Sequence, residues 1–165
     1  MVNNMKKQNN AGFSLVELIV TILIMSILTA GVVVSVVAMH RADAEKEARK
    51  IANVLEKARV QVLSRSEDTY VQLYADADGK YISLVQGGTA TVTKLDDKAT
   101  VAFCIGGTET TLTGTAEAKI YFSKSSGAFK DTPGYLVQYI KVTADKDLYV
   151  CLVADTGRCY IDTTY

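Results

Sequence analysis

One carboxylate is conspicuous for its setting. Glu17 lies among Leu15, Val16, Leu18, Ile19 and Val20, at the head of a run of 22 residues, 18–39, without a formal charge. An ionised carboxylate in hydrocarbon costs about 2.5–3.5 kcal/mol on insertion scales, so such a group ordinarily has a cationic partner. The plain alternative is an interfacial acid favoured by the positive end of a helix dipole. The other residues capable of chemistry are scattered. The single histidine, His40, ends the apolar run with no Ser, Asp or Cys partner pattern around it, and reads as an interfacial helix residue. Cys104, Cys151 and Cys159 form no C-x-x-C and lie far from His40, which argues against zinc. Asp76-Ala77-Asp78-Gly79 opens like a calcium loop but lacks the late glutamate of an EF-hand, so it reads as a hairpin turn. The nine tyrosines, Tyr160 and Tyr165 among them, are accounted for by strand packing. With no nucleophile–base set, phosphate loop or metal cluster legible, no catalytic residue, cofactor or metal is expected, and the chain reads as a non-enzyme.

The elements that must position Glu17 begin with a short polar leader. Residues 1–12 carry two cations, Lys6 and Lys7, and the apolar run follows at once. A secretory signal would have a shorter apolar core and then an Ala-x-Ala-like cleavage site. Here the run is long enough for a span, which takes roughly 20 residues. Lys6 and Lys7 should hold the leader on the cytoplasmic side by the positive-inside bias, giving an N-in, C-out orientation. Met5 is a second possible start. Thr21, Ser26, Thr29 and Ser35 interrupt the run with hydroxyls that can bond back to backbone carbonyls. Over the whole chain Lys+Arg and Asp+Glu are equal at 18 each. A net charge near zero provides no general pull toward nucleic acid or an acidic membrane surface, and leaves nucleic-acid contact open.

From Arg41 the pattern changes. Ala44, Ala48, Ile51, Leu55, Ala58 and Val62 recur at spacings of three and four, one apolar stripe on an amphipathic helix. Glu45–Arg49 and Glu56–Arg59 are spaced as supporting pairs. The mixed charges of residues 43–50 read as a solvated face. The helix is thus expected from about residue 13 to 63, on the order of 75 Å at about 1.5 Å per residue. Gly31, followed by three valines, is its weakest stretch. After residue 65 the periodicity switches to two. Strands are expected at 70–74, 80–85, 90–95, 100–105, 110–113, 119–122, 136–143, 148–154 and 158–163. Reversals are expected at Asp78-Gly79, Gly106-Gly107, Ser126-Gly127, Pro133-Gly134 and Thr156-Gly157. The fold class is α+β: a long N-terminal helix packed on a C-terminal antiparallel β-sheet domain. Its segments are a leader (1–12), a hydrophobic helix (13–40), its amphipathic continuation (41–65) and a β-rich head (66–165).

The junction Gly12-Phe13-Ser14-Leu15-Val16-Glu17 resembles the signature of type IV prepilins and pseudopilins. It combines a Lys-containing leader, a Gly, a Phe, a Glu four residues after that Phe, and an unbroken apolar helix. The resemblance implies that a prepilin peptidase cuts between Gly12 and Phe13 and that the new Phe13 amino group is methylated. It further implies that Glu17 neutralises that amino group on a neighbouring subunit during filament assembly. Its partners would be other pilin subunits, the peptidase and an assembly platform in the membrane. The subunit would sit in the plasma or inner membrane before entering an extracellular or periplasmic filament. Many members of the family carry a proline in this part of the helix, where this sequence has none; Gly31 is the candidate for any bend. Residues 119–127, 139–142 and 148–158, ending in Thr156-Gly157-Arg158, are similar to the C-terminal pattern of GspH/FimT-type minor pseudopilins, which implies a minor subunit. A tip subunit that binds DNA, a surface or cargo is one alternative. An uncleaved, single-pass anchored receptor is another.

In an exported head, three cysteines suggest one disulfide and one free thiol; in a cytosolic one, three free thiols would be ordinary. Cys151 and Cys159 would lie opposite each other only if their turn centres on Asp155. A Cys104–Cys151 pair between neighbouring strands is the other arrangement.

Overall fold

A computed structural model of the protein describes residues 14–64, 67–130, 136–144 and 146–165, and between residues 30 and 42 only the backbone. Helix α1 spans Leu15–Ser64, Gly31 included. The Ser14 carbonyl accepts the Leu18 N–H at 3.1 Å, and Glu17 stands in the first turn, where the helix dipole favours an acid. The chain divides between Val37 and Ala38 into two units, and each is described by itself.

In the second unit, the stripe read from the sequence faces inward. Ala44, Ala48, Ile51, Leu55, Ala58 and Val62 are each at most 2 % exposed. The small Ala44, Ala48 and Ala58 let the helix backbone approach the strands, while Ile51 and Leu55 fill the space between them. The Glu45–Arg49 and Glu56–Arg59 pairs form, at 2.6 and 3.5 Å. Both are exposed on at least one side and add little.

Nine strands follow: β1 (Thr69–Asp76), β2 (Gly79–Gln86), β3 (Thr89–Lys94), β4 (Thr100–Ile105), β5 (Thr108–Thr111), β6 (Glu117–Tyr121), β7 (Val137–Thr143), β8 (Asp147–Val153) and β9 (Arg158–Asp162). They form two antiparallel sheets, in the orders β3-β2-β1-β6 and β5-β4-β7-β8-β9. The chain leaves the first sheet after β3, returns to it for β6, and ends in the second. Val71, Leu73, Ile82 and Leu84 from the first sheet and Val101, Phe103, Ile140, Val142 and Val150 from the second join the helix stripe in one buried cluster. Alternate residues of β1 and β7 are buried, as expected for strands with one face on a core.

One expected turn shifts by a residue, and one strand starts two residues earlier than expected after a reversal that falls where it was read. Asp76 pairs with Gly79, so the β1–β2 turn is Ala77-Asp78 rather than Asp78-Gly79. The Asp78 N–H donates to Asp76 Oδ1 at 2.8 Å, so this carboxylate closes a turn. Strand β5 starts at Thr108 because Gly106 and Gly107, at φ +58° and +80°, complete a two-residue reversal on their own.

Candidate functional site

The segment singled out by the sequence is only partly within the described residues. Lys6, Lys7, Gly12 and Phe13 lie outside them. Glu17 lies inside, on the first turn of α1, with an exposed side chain. Its surroundings are apolar and equally exposed: Leu15, Val16, Leu18, Ile19, Val20, Ile22, Leu23 and Ile24 are all about half exposed or more. The hydroxyls of this segment are spent on the helix itself. Thr21 Oγ1 donates to the Leu18 carbonyl at 2.9 Å, Ser26 Oγ to Leu23 at 2.8 Å, and Thr29 Oγ1 to Met25. Each hydroxyl thereby hides its donor from the surroundings. The Glu17 carboxylate is left as the polar side chain of residues 15–29 with no partner among the described residues. Chemically this is an apolar helix surface that carries one carboxylate.

Among the described residues, no helix is both long and apolar enough to cross a membrane. The described side chains of the apolar run stop at residue 29, short of the roughly 20 residues a span takes. The sequence run itself continues to Met39.

The head places the other candidates. Register β4–β7–β8–β9 sets Cys104 opposite Tyr139, Tyr139 opposite Cys151, and Cys151 opposite Tyr160. Cys104 and Cys151 therefore share a face but are separated by a whole strand, roughly 10 Å. That exceeds the reach of a disulfide, about 7 Å between Cα atoms. They are not on neighbouring strands, as one sequence reading had it. In the β8–β9 hairpin Leu152 pairs with Cys159, so the turn centres between Asp155 and Thr156. That offset of half a residue puts Cys151 and Cys159 on opposite faces of the sheet. All three cysteines are free thiols. Cys104 Sγ lies 3.3 Å from Gln138 Oε1, and Cys159 Sγ lies 3.6 Å from the Ala52 carbonyl on α1. Burial pushes the Cys159 thiol up to about 11 and raises Cys151 as well. Intact protein purified without reductant should therefore react slowly with a thiol reagent at neutral pH, and release three thiols per chain when unfolded. Titration of a single thiol in denaturant would reveal a bridge and overturn this reading.

The Asp155-Thr156-Gly157-Arg158 turn joins three parts of the head. Arg59 Nε on α1 donates to the Thr156 carbonyl at 3.0 Å, and the Phe129 N–H donates to the Ala154 carbonyl at 3.0 Å. Gly157, at φ +64°, sits against the Gly127 carbonyl of the loop after β6. One residue missed by the sequence reading is Glu47. It is fully buried, pairs with Lys50 at 2.6 Å and accepts the Asp96 N–H at 3.1 Å. Its spacing from Ala44 and Ile51, three and four residues, places it on the buried stripe, and that was its only sequence signal. On the outer face of the second sheet, Lys141 pairs with Asp147 at 3.0 Å. That contact raises the lysine pKa and lowers that of the carboxylate. Among the described residues no group of three or more metal-ligating side chains occurs.

The described chain thus combines a helix with an exposed apolar surface and one carboxylate near its start with a β-rich head. Comparison with protein families makes this specific: residues 7–33 match the family described as "Prokaryotic N-terminal methylation motif". This is the type IV prepilin-like signature. The match does not extend into the head. No curated protein and no solved structure matches the chain significantly.

Proposed function

We propose that the protein is a structural subunit of a type IV pilus or type II secretion-like pseudopilus. It is cut between Gly12 and Phe13, N-methylated at Phe13, and assembled through its N-terminal helix. Before assembly it sits in the membrane N-in and C-out, with Lys6 and Lys7 on the cytoplasmic side. The observation that carries the reading is the methylation motif at residues 7–33 with Glu17 inside it. Over residues 15–29 Glu17 is the one carboxylate, and the other side chains there are apolar or bonded to the helix's own carbonyls. Cleavage creates a cation, the Phe13 amino group, in the membrane segment. A carboxylate and an ammonium that are each costly to desolvate become tolerable when paired. Glu17 of one subunit and the Phe13 amino group of another supply that pair, and it sets the register between helices. The β8–β9 pattern ending in Thr156-Gly157-Arg158 favours a minor subunit over a bulk one.

The test is mass spectrometry of the mature chain together with fractionation of filaments. A chain that begins at methylated Phe13 supports the reading; an intact leader with Gly12 uncut would instead indicate an anchored, unprocessed receptor. Glu17→Ala should leave cleavage largely intact and reduce incorporation into filaments by about tenfold or more, the worth of one desolvated charge pair. Normal incorporation of Glu17→Ala would remove the charge-pairing step. Immunogold labelling confined to filament tips or scattered sites fits a minor subunit, whereas dense labelling along the shaft assigns a major one.

A further inference from the structure

Among the described residues the two sheets end in four edges: β3 and β6 on the first, β5 and β9 on the second. An edge presents unpaired N–H and C=O groups, which proteins ordinarily blunt with charge, shortness, a bulge or a covering loop. Three of the four are blunted. Beyond β6 the Tyr121 carbonyl accepts the Lys130 N–H at 2.8 Å and Phe122 bridges Phe129, so a loop covers that edge. Strand β5 is four residues long and carries Glu109. Strand β9 starts on Arg158 and ends on Asp162. Strand β3, Thr89-Ala90-Thr91-Val92-Thr93-Lys94, runs for six residues with no proline and pairs with β2 without a register shift. All of it but Thr93 is exposed, and Val92 is half exposed.

The register decides which backbone groups of β3 face outward. Gly87 and Gly88, at φ +53° and +83°, form a two-residue turn, so the closing pair Gln86–Thr89 exchanges both of its hydrogen bonds. Bonded pairs recur at every second position, and the Leu95 N–H donating to the Lys80 carbonyl at 2.9 Å continues that series. Thr89, Thr91 and Thr93 therefore spend their backbone groups on β2. Ala90, Val92 and Lys94 turn theirs away from the sheet.

These three residues are spaced symmetrically about Val92, which makes the edge complementary to itself. In an antiparallel pair centred there, Val92 faces Val92 of a second copy and covers its exposed side chain, while Ala90 faces Lys94. On the other face Thr91 meets Thr93, a favourable cross-strand pair. No like charges are opposed, because each lysine lies across from an alanine. Lys94 Nζ is also held on its own hairpin by the Asp78 carbonyl at 2.6 Å.

We infer that β3 is an interface between two copies of this chain, joined edge to edge about a two-fold axis at Val92 so that two four-stranded sheets become one. The contact belongs to the head, and its failure would leave the reading of the amino terminus untouched.

Cysteine cross-linking of the full chain in detergent micelles, with copper–phenanthroline as oxidant, tests it. The parent, whose own thiols are buried or partly so, provides the background. Facing residues of a bonded antiparallel pair stand about 5.5 Å apart at Cα, within reach of a disulfide. Val92→Cys should form the linked dimer about tenfold faster, or more, than Ala90→Cys or Thr91→Cys, whose counterparts are displaced along the strand beyond that reach. Ala90→Pro removes an outward N–H and no bond to β2, and edge strands tolerate proline. Added to Val92→Cys, it should slow the cross-link by a similar factor with an unchanged circular dichroism spectrum. Val92→Cys linking no faster than the parent, equal rates at the three positions, or a rate indifferent to Ala90→Pro overturns the proposal. So does a Val92→Cys chain that forms no link to itself but a mixed disulfide with another protein in cells, which would assign the edge to a different partner.

Discussion

Replacing Gly157 with alanine is expected to destabilise the head by more than about 4 kcal/mol, the range in which single changes are exceptional. Two effects add. At φ +64° the backbone is left-handed, a conformation that costs a residue with a Cβ about 1–2 kcal/mol. The larger effect is contact. A Cβ built at Gly157 would lie 1.7 Å from the Gly127 carbonyl oxygen and 3.1 Å from Ala128 Cα. Both are backbone atoms, so no side chain can swing aside, and the β8–β9 turn must lift off the loop that follows β6. Lifting it pulls the Ala154 carbonyl from the Phe129 N–H and the Thr156 carbonyl from Arg59. Gly114 provides the control: it has φ +60° with nothing within 4 Å of a built Cβ. Gly114→Ala should therefore show the backbone effect alone, about 1–2 kcal/mol. Urea denaturation of the two variants beside the parent separates the effects. Equal midpoints for Gly157→Ala and Gly114→Ala would mean the turn is not wedged against the loop.

Glu47→Ala is the second large effect expected, about 3 kcal/mol, the lower end of what breaking a buried ion pair costs. The carboxylate is fully buried and has two duties on two oxygens. Oε1 meets Lys50 Nζ at 2.6 Å, and Oε2 accepts the Asp96 N–H at 3.1 Å. Lys50 is partly exposed and can turn to water once its partner is gone. The Asp96 amide is fixed in the chain between Leu95 and the start of β4, and loses this acceptor. Leu95 beside it is almost completely buried, so the loop has little freedom to expose that amide. Glu47→Gln retains an acceptor for Asp96 but gives up the charge on Lys50, and should cost about half as much. The order Ala below Gln below parent in denaturant midpoint is the expected outcome, together with faster hydrogen exchange of the Asp96 amide in the alanine variant. An alanine variant as stable as the parent would refute a bridging role.

These two positions also mark what could be read from the chain before its fold. The helix stripe was legible because six apolar residues repeat at helical spacing, and each of them is buried. Glu47 shares that stripe, yet it was read with the solvated charges around it. Its burial depends on an amide 49 positions further on, which no local pattern reveals. All nine strands were legible from alternation and glycine turns, but their division into two sheets was not. That division rests on the long-range pairings β1–β6 and β4–β7. The cysteine geometry turned on half a residue of turn register, which sequence alone leaves free. The methylation motif was legible because its residues are contiguous in the chain.

The order of strands carries a consequence for how the protein is made. Until β6 emerges, β1 has a bare edge, and until β7 emerges so does β4, while the helix stripe waits for both sheets. The wedge at Gly157 and strand β9 follow both of these in the chain. The head therefore stays an open chain during synthesis until β7, β8 and β9 have emerged, and it closes only then. Removing β9 and the turn before it would not shorten the domain but leave it unfinished.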